Sequence, residues 1–580
     1  DLTFIVKHMN KLYISDVISK GPSYLKVNYG RNSYPYPTWS FIDARNYVPP
    51  NVNLDSFAKM MGVKDIQKEI FPYEWLDSVD KLNEPSLPPI ECFYNRLKNS
   101  DCDPEDYEHA QQVWQKRGFQ TMKDYMMYYC RLDVDIMMQG IANFRKNLWD
   151  ESKLELLNYM SISQISITNC LKNYIPDGIE LYTIPDEHCY RVINNSVYGG
   201  GCQVFEHYGS TNFDKNAETM LSLDENNLYG AALMRPCPCG KATYHDEIDY
   251  CKRVEDNLKQ VSAEERVKAY EDRYSTWFLH GKDEVIQLGS YSEETTGFIE
   301  CTLVFTESQR NRLKHYPPLP FKLNPEDRND EHTPYMKDLA EKLNVKSVAE
   351  KLIFGVFDLP NYCIYSEMLK YLLENDMCEL VKVHSMVHMK LGFVFRDFIK
   401  AMTKKRQEAA NVLDNPNSSE DEKKIALVTK ELAKLYNNSC YGKTLQTESN
   451  YTISQIVTSP EDFARCLGRD GRTILDFTIL SEKSLEMKFE KNSHKIKAQK
   501  YIGSCALWVA KMIMLDFVYN CMWTVYTPEN AIIQYTDTDS LYLRFVGSDA
   551  PKSYQDFRMS FPKHLRQRHF VESEADVTPG

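Results

Sequence analysis

The sequence predicts an α+β protein built from several domains, and three observations carry that expectation. At 580 residues the chain is too long for one compact core, so three or more domains or subdomains are expected. Residues 531–535 and 541–545 are apolar and β-prone and flank a short polar tip, the pattern of a hairpin. Residues 121–147 read as a helix, and residues 421–440 are rich in good helix formers. With 43% hydrophobic and 26% charged residues, the composition is that of an ordinary globular protein. No run of about 18 apolar residues stands out and no signal peptide opens the chain, so no membrane span is expected. The chain begins Asp1-Leu-Thr-Phe-Ile-Val without an initiator Met, which reads as a fragment opening in mid-domain.

Sixteen cysteines are scattered without a C-x-x-C pair, a usage that predicts reduced thiols in an intracellular compartment. Cys237 and Cys239 are the closest pair, but no second Cys or His pair at ligand spacing accompanies them, so zinc is the weaker reading there. His384 and His388 lie in a stretch that alternates like a strand, which sets them too far apart to be first-choice ligands. The formal charge of −13 argues against a general nucleic-acid coat. Charge is local, however. From Arg396 to Lys443 ten Lys/Arg face seven Asp/Glu, a surplus of +3 that is either a small basic groove or a solvated helical face.

The hairpin tip carries the most chemistry. In Tyr535-Thr-Asp537-Thr-Asp539-Ser540 two carboxylates sit close together and repel unless a cation lies between them. A solvated acidic turn is the bland alternative. A third carboxylate, Asp224, ends the apolar run Leu221-Ser-Leu-Asp and is followed by Glu-Asn-Asn-Leu-Tyr229-Gly230. A third block reads Lys434-Leu-Tyr-Asn-Asn438-Ser-Cys-Tyr441-Gly442.

These blocks, in this order, resemble motifs A, B and C of the family B DNA polymerases. Motif A, D-x-x-S-L-Y-P, is seen at Asp224 to Gly230 with Asn in the Ser position and Gly in the Pro position. Motif B, K-x-x-x-N-S-x-Y-G, is matched at every fixed position, and motif C, Y-x-D-T-D-S, at Tyr535 to Ser540. The D-x-N-N-L-Y-G variant looks most like the protein-primed branch carried by Polinton/Maverick transposons and related viruses. The resemblance implies template-directed addition of dNTPs to a primer 3′-OH by phosphoryl transfer with two Mg²⁺ or Mn²⁺ ions. Asp224 and Asp539 would be the main ligands and Asp537 a supporting one. Lys430, Lys434 and Asn438, at i, i+4 and i+8, would meet the triphosphate and base with Tyr441, and Tyr229 would lie beneath the sugar and exclude a ribose 2′-OH. The implied partners are primer-template DNA, dNTPs and a terminal priming protein, and the implied location is the nucleus or a virus or element replication site.

The same resemblance orders the rest of the chain. Residues 1–185 would be a partial RNase H-like 3′–5′ exonuclease domain. Tyr129 and Asp133 have the Y-x-x-x-D spacing of its third motif, one helical turn that puts phenol and carboxylate on one face. Asp1 fits the second motif's Asp, and the first motif, D-x-E, has no candidate upstream, so exonuclease activity is doubtful in this chain. In 186–202, Tyr198-Gly199-Gly200-Gly201 fits the Y-x-G-G linker, whose glycines would let backbone approach DNA phosphates; Gly442 closes motif B beside the DNA. Palm residues 203–235 precede an insertion, 236–390, resembling terminal-protein region 1, in which 251–273 reads as a charged helix. Fingers at 391–445 and a second palm part at 446–580 follow, with a small insertion near 472–491 patterned strand–Ser-Glu-Lys-Ser–strand. No thumb is expected.

Two rivals frame this reading. A catalytically inactive mobile-element remnant would keep only DNA or protein binding. A DxD glycosyltransferase would use a lone Asp-x-Asp with Mn²⁺ and a sugar nucleotide, and would not carry K-x-x-x-N-S-x-Y-G.

Overall fold

The computed structural model describes residues 2, 5–6, 14–20, 23–30, 38–48, 52–63, 69–97, 99–210, 218–246, 276–280, 285–289, 295–324, 333–344, 350–446, 453–468, 473–482, 484–489 and 498–570. Asp1 and the charged stretch 251–273 lie outside them. The chain divides into two compact units: Asp1–Asn173, Lys400–Cys440 and Thr447–His494 form one, and Tyr174–Ile399, Tyr441–Gln446 and Lys495–Gly580 the other.

The first unit holds a six-stranded antiparallel sheet in the order Ile474–Ser481, Ser484–Phe489, Ile453–Val457, Ile14–Lys20, Ser23–Tyr29, Trp39–Ile42. The strand pattern expected at 472–491 is present, but these strands complete a sheet begun at residue 14. The segment expected as the second palm part is therefore divided, 447–494 going with the N-terminal strands.

The expected helix at 121–147 runs Met122–Ser152. Thr121 and Asp124 close a reciprocal capping box at its start. Its buried residues Tyr125, Tyr129, Ile136, Gly140, Phe144 and Leu148 fall at helical spacing on one stripe. Gly140 is required there, since a Cβ would lie 2.8 Å from the Phe57 ring. Phe57, Phe144, Leu148, Leu156 and Ile165 form a core against which Leu432, Leu435 and Tyr436 of the helix Glu420–Thr444 pack.

The second unit contains two four-stranded antiparallel sheets. One runs Leu359–Tyr365, Thr295–Val304, Glu379–Gly392, Cys237–Asp246 and accounts for much of the expected 236–390 insertion. His384 and His388 lie on its strand Glu379–Gly392, as their alternation predicts, with His384 Nε2 2.8 Å from Thr302 Oγ1. Cys237 and Cys239 are buried here, and burial pushes the Cys237 thiol well up, which opposes the thiolate that zinc needs. The other sheet runs Cys202–Val204, Ala531–Asp537, Ser540–Val546, Glu218–Asp224.

The stretch Lys500–Val525 is helical for 26 residues with a mean hydropathy of 1.5, enough by length and composition to cross a bilayer. Isolated polar residues such as Lys511 and Asp516 hide it from a reading that looks for unbroken apolar runs. In the fold 78% of its most apolar window is buried, and Trp508, Tyr501 and Leu507 pack inside the unit, so interior packing accounts for its apolar character.

Candidate functional site

The three aspartates singled out by sequence come from two elements that hydrogen bonding brings to one sheet end. Strands Ala531–Asp537 and Ser540–Val546 form the hairpin, with Ala531, Ile533 and Leu543 on its buried side. Strand Glu218–Asp224 pairs with Ser540–Val546 in a register that sets Asp224 opposite Ser540. The Glu225 N–H then donates to the Asp539 carbonyl at 2.8 Å, tying the end of that strand to the hairpin tip. Asp224 and Asp537 are exposed and Asp539 half-buried.

The tip is held in a strained turn. Thr538 has φ +61°, and the Asp539 N–H donates to the Asp537 carbonyl at 2.7 Å, an i to i+2 bond of γ-turn type. A β-branched residue in the left-handed region costs roughly 1–3 kcal/mol and persists only where surroundings enforce it. Here the Thr538 N–H donates to the Gly201 carbonyl and its side chain lies against Gly200, where a Cβ would meet Thr538 Oγ1 at 2.3 Å. The Gly-Gly-Gly run is thus filled by protein, and its closeness serves the turn. A Cβ on Gly201 would lie 3.1 Å from the Phe354 ring. Tyr198 is likewise engaged: its ring stacks on Tyr362 at 5.1 Å and meets Trp508 edge-on at 5.7 Å. Two aromatic neighbours thus hold the partly buried Tyr198 ring.

Tyr229 stands over this end. It stacks on Tyr441 with ring centroids 4.2 Å apart and planes at 12°, and both hydroxyls are raised in pKa chiefly by burial. The Asp539 and Asp537 charges add to the rise at Tyr229, so both carboxylates lie within its electrostatic reach. Gly230 leaves room for the Asn227 side chain, 2.1 Å from where a Cβ would stand, and Asn227 takes φ +61°. This is why Gly serves where motif A has Pro. Beneath lies a small cavity of about 30 Å³ lined by Tyr229, Gly200, Tyr316, Lys511 and Thr538.

Two site residues escaped the sequence reading. Glu225 is pushed up in pKa by burial and then by the Asp224 and Asp539 charges, so it lies within electrostatic reach of both. Lys511 is buried, its pKa lowered to about 7 by desolvation, and its Nζ donates to the Tyr198 carbonyl at 2.8 Å. A single Lys inside Ala506-Leu-Trp-Val-Ala-Lys-Met-Ile-Met was the available signal. Among the described residues no group of three His, Cys, Asp or Glu side chains is drawn together at metal-ligating spacing. The donor set nonetheless fits a hard divalent cation. Its members are carboxylates only, and the Asp224 and Asp539 charges, which add to the rise that burial causes at Glu225, are of the sign that such a cation offsets.

On the helix Glu420–Thr444, Lys434 and Asn438 are exposed and Lys430 partly so, while the neighbouring Asn437, Ser439 and Cys440 are buried. Ser439 is held by the Ser163 hydroxyl at 3.1 Å and the Tyr436 carbonyl accepts from Ser166 at 2.7 Å, so this stretch is fixed by its inner face. Gly442 is exposed with open space where a Cβ would stand. In the first unit Tyr129 and Asp133 interact one turn apart, and the Tyr129 hydroxyl lies 2.5 Å from that of Tyr73.

Residues 1–505 match the family described as DNA polymerase type B, organellar and viral. The Asp537–Asp539 hairpin lies beyond the matched residues and stands on its own geometry. A probable DNA polymerase of Ascobolus immersus is 25% identical over 248 residues, which are 40% of this chain and 19% of that protein. Among solved structures, the orthorhombic form of phi29 DNA polymerase shares 13% identity and a TM-score of 0.49 over 95% of this chain and 70% of its own. The phi29 ternary complex with primer-template DNA and incoming nucleotide shares 14% and 0.46 over 93% and 66%. The chain thus spans about a fifth of the curated relative and about two thirds of the phi29 enzyme.

Proposed function

Because the chain belongs to the organellar and viral type B DNA polymerases, we propose that it adds dNTPs to the 3′-OH of a DNA primer at the edge formed by Asp224, Asp537 and Asp539. The observation that carries this is the strand register that sets Asp224 opposite Ser540 and bonds Glu225 to Asp539. Asp224 and Asp539, with Asp537 in support, would hold Mg²⁺ or Mn²⁺, which would supply charge neutralisation at the phosphates and activation of the primer hydroxyl. The chain's own residues do the positioning. Thr538, pinned by Gly200 and Gly201, fixes the two carboxylates of the tip in one orientation. Tyr229, held flat by Tyr441, presents a rigid face to the nucleotide sugar. The likeness of Lys434–Gly442 to motif B supports assigning the triphosphate to Lys430 and Lys434 and the base and sugar to Asn438 and Tyr441.

The Asp-x-Asn-Asn-Leu-Tyr-Gly form of the first block supports placing the chain in the protein-primed, Polinton/Maverick-like branch, with a terminal protein as primer and a nucleus or replication site as its location. Gly442, open to solvent, and the Tyr198–Gly201 linker serve as DNA contacts, and within the linker Gly200 and Gly201 also support the tip. Tyr129 and Asp133 are proposed as part of an exonuclease site.

Primer extension by the 580-residue chain with Mg²⁺ or Mn²⁺ tests the assignment. Asp539→Ala and Asp224→Ala are expected to lower kcat by about three orders of magnitude, the scale of lost electrostatic stabilisation. Extension by Asp539→Ala at the wild-type rate removes the hairpin from the chemistry. A wild-type chain that binds DNA without extending it returns the inactive-remnant reading.

A further inference from the structure

The helix Lys500–Phe517 carries a polar stripe through an otherwise apolar sequence. Tyr501, Ser504, Trp508 and Lys511 follow one another at spacings of three and four residues, so they share one face. Each donates to a main-chain carbonyl of the segment that leads into the glycine linker. Tyr501 bonds Tyr182 at 2.9 Å, Ser504 and Trp508 bond Ser196 at 3.0 and 2.9 Å, and Lys511 bonds Tyr198 at 2.8 Å. The helix thus straps 182–198 to itself, and the last strap falls on the residue that opens the linker.

From Tyr198 a short path leads to the hairpin tip. The Gly201 carbonyl accepts the Thr538 N–H, and Gly200 lies so close to the Thr538 side chain that no Cβ fits between them. Cys202 then pairs opposite Asp537. The linker is held at its start by Lys511 and at its end by the tip. Packing alone does not call for a lysine at this position. Lys511 is buried beside Leu507, Ala510, Met514 and Leu515, and burial is what lowers its pKa. An apolar side chain of similar length would sit there at lower cost unless the amine's N–H is used. Amine and ammonium alike keep a donor for the Tyr198 carbonyl.

We propose that Lys511 is a positioning residue for primer extension: by holding the Tyr198 carbonyl it fixes the linker, and through Gly200 and Gly201 it fixes the Asp537–Asp539 tip. It acts through main chain and not on a reacting atom. The proposal rests on the DNA polymerase reading, and the two fail separately in the following experiment.

Amide hydrogen exchange over residues 536–540 is measured by mass spectrometry on the 580-residue chain without DNA, nucleotide or metal, and primer extension is measured in parallel. Lys511→Met keeps the length of the side chain and removes the donor. It is expected to speed exchange at the tip by about tenfold or more, because the Thr538 N–H is protected only while the linker stays in place. Its kcat should fall by about 10–100-fold with KM for dNTP within about twofold, the signature of displaced reacting groups with intact nucleotide binding. Lys500→Met is the control, since Lys500 is also buried on this helix but bonds Tyr190 and Asn194, both at 2.9 Å, away from the linker. It should leave tip exchange and kcat unchanged. Unchanged tip exchange in Lys511→Met, wild-type kcat despite faster exchange, a loss confined to KM, or an equal loss in Lys500→Met overturns the proposal. Should Lys511→Met melt below wild type, Lys511→Arg decides: it keeps a donor, and tip exchange and kcat within about threefold of wild type are expected. A tip that exchanges as fast as in Lys511→Met then overturns the proposal. Faster tip exchange in Lys511→Met with no extension by wild type removes the polymerase reading alone.

Discussion

Tyr229 is placed by its neighbour as much as by its own strand-to-helix turn. The Tyr441 ring, stacked nearly parallel with centroids 4.2 Å apart, leaves Tyr229 little freedom to swing aside. A discriminating wall has to be rigid, because a ring that moves lets a 2′-OH pass. Tyr229→Val is therefore expected to lower the ratio of kcat/KM for dNTP over rNTP by roughly 10–100-fold, the range that one steric contact can supply. Tyr441→Ala, which leaves the wall but frees it, should give part of the same loss. A ratio unchanged in both variants makes the pair a packing feature only. Lys434 makes a different prediction, since it is exposed on its helix and its ammonium is blind to base and sugar. Lys434→Ala should raise KM for every dNTP by a similar factor, measured by steady-state extension with each nucleotide in turn, and a factor that differs among bases argues against a phosphate contact.

At the scale of elements, the hairpin tip depends on the linker facing it. Gly200→Ala puts a methyl 2.3 Å from Thr538 Oγ1 and 2.9 Å from Thr538 Cβ, too close for a rotamer change alone to relieve. The tip must shift, and overpacking of this kind costs about 1–3 kcal/mol. Extension is expected to fall at least about tenfold, because a displacement of around 1 Å at reacting groups costs on the order of 100-fold. Wild-type kcat in Gly200→Ala separates the tip's geometry from the chemistry. The hairpin, the strand ending at Asp224 and the Glu420–Thr444 helix were legible because alternation and helical spacing are local properties of the sequence. What Gly200 faces was not legible, because glycine tolerates close approach without saying by what. The pairing of Val17 with Ser454 was hidden for a related reason: register between distant strands is settled by tertiary packing, which neither strand's pattern specifies. Lys511 was passed over because an amine in an apolar helix looks like an interruption until the Tyr198 carbonyl that accepts from it is known.

For the molecule as a whole, stability should respond to pH through two buried groups of opposite sense in the second unit. Glu367, at the first turn of the helix Ser366–Glu374, is only 8% exposed, and burial raises its pKa from 4.5 to about 7. Folding therefore favours its protonated form. The stabilisation this brings is full below pH 4.5 and is lost as pH rises through about 7. Lys511 runs the other way: desolvation lowers its pKa from 10.5 to about 7, so its contribution is full above 10.5 and is lost as pH falls through about 7. Both contributions are thus spent near pH 7, and together the two groups place a trough in the unit's stability near neutrality. Glu367→Gln keeps the shape of the neutral acid and removes its titration. It is expected to leave the melting temperature unchanged near pH 5 and to raise it at pH 8. There the charged carboxylate otherwise costs on the order of 2–3 kcal/mol, since each tenfold change in proton affinity is worth about 1.4 kcal/mol. Thermal melts of the full chain and of Glu367→Gln between pH 5 and pH 8.5 read this directly. Parallel curves for the two proteins across that range mean that the Glu367 carboxylate is solvated or paired when charged, and the argument from burial fails.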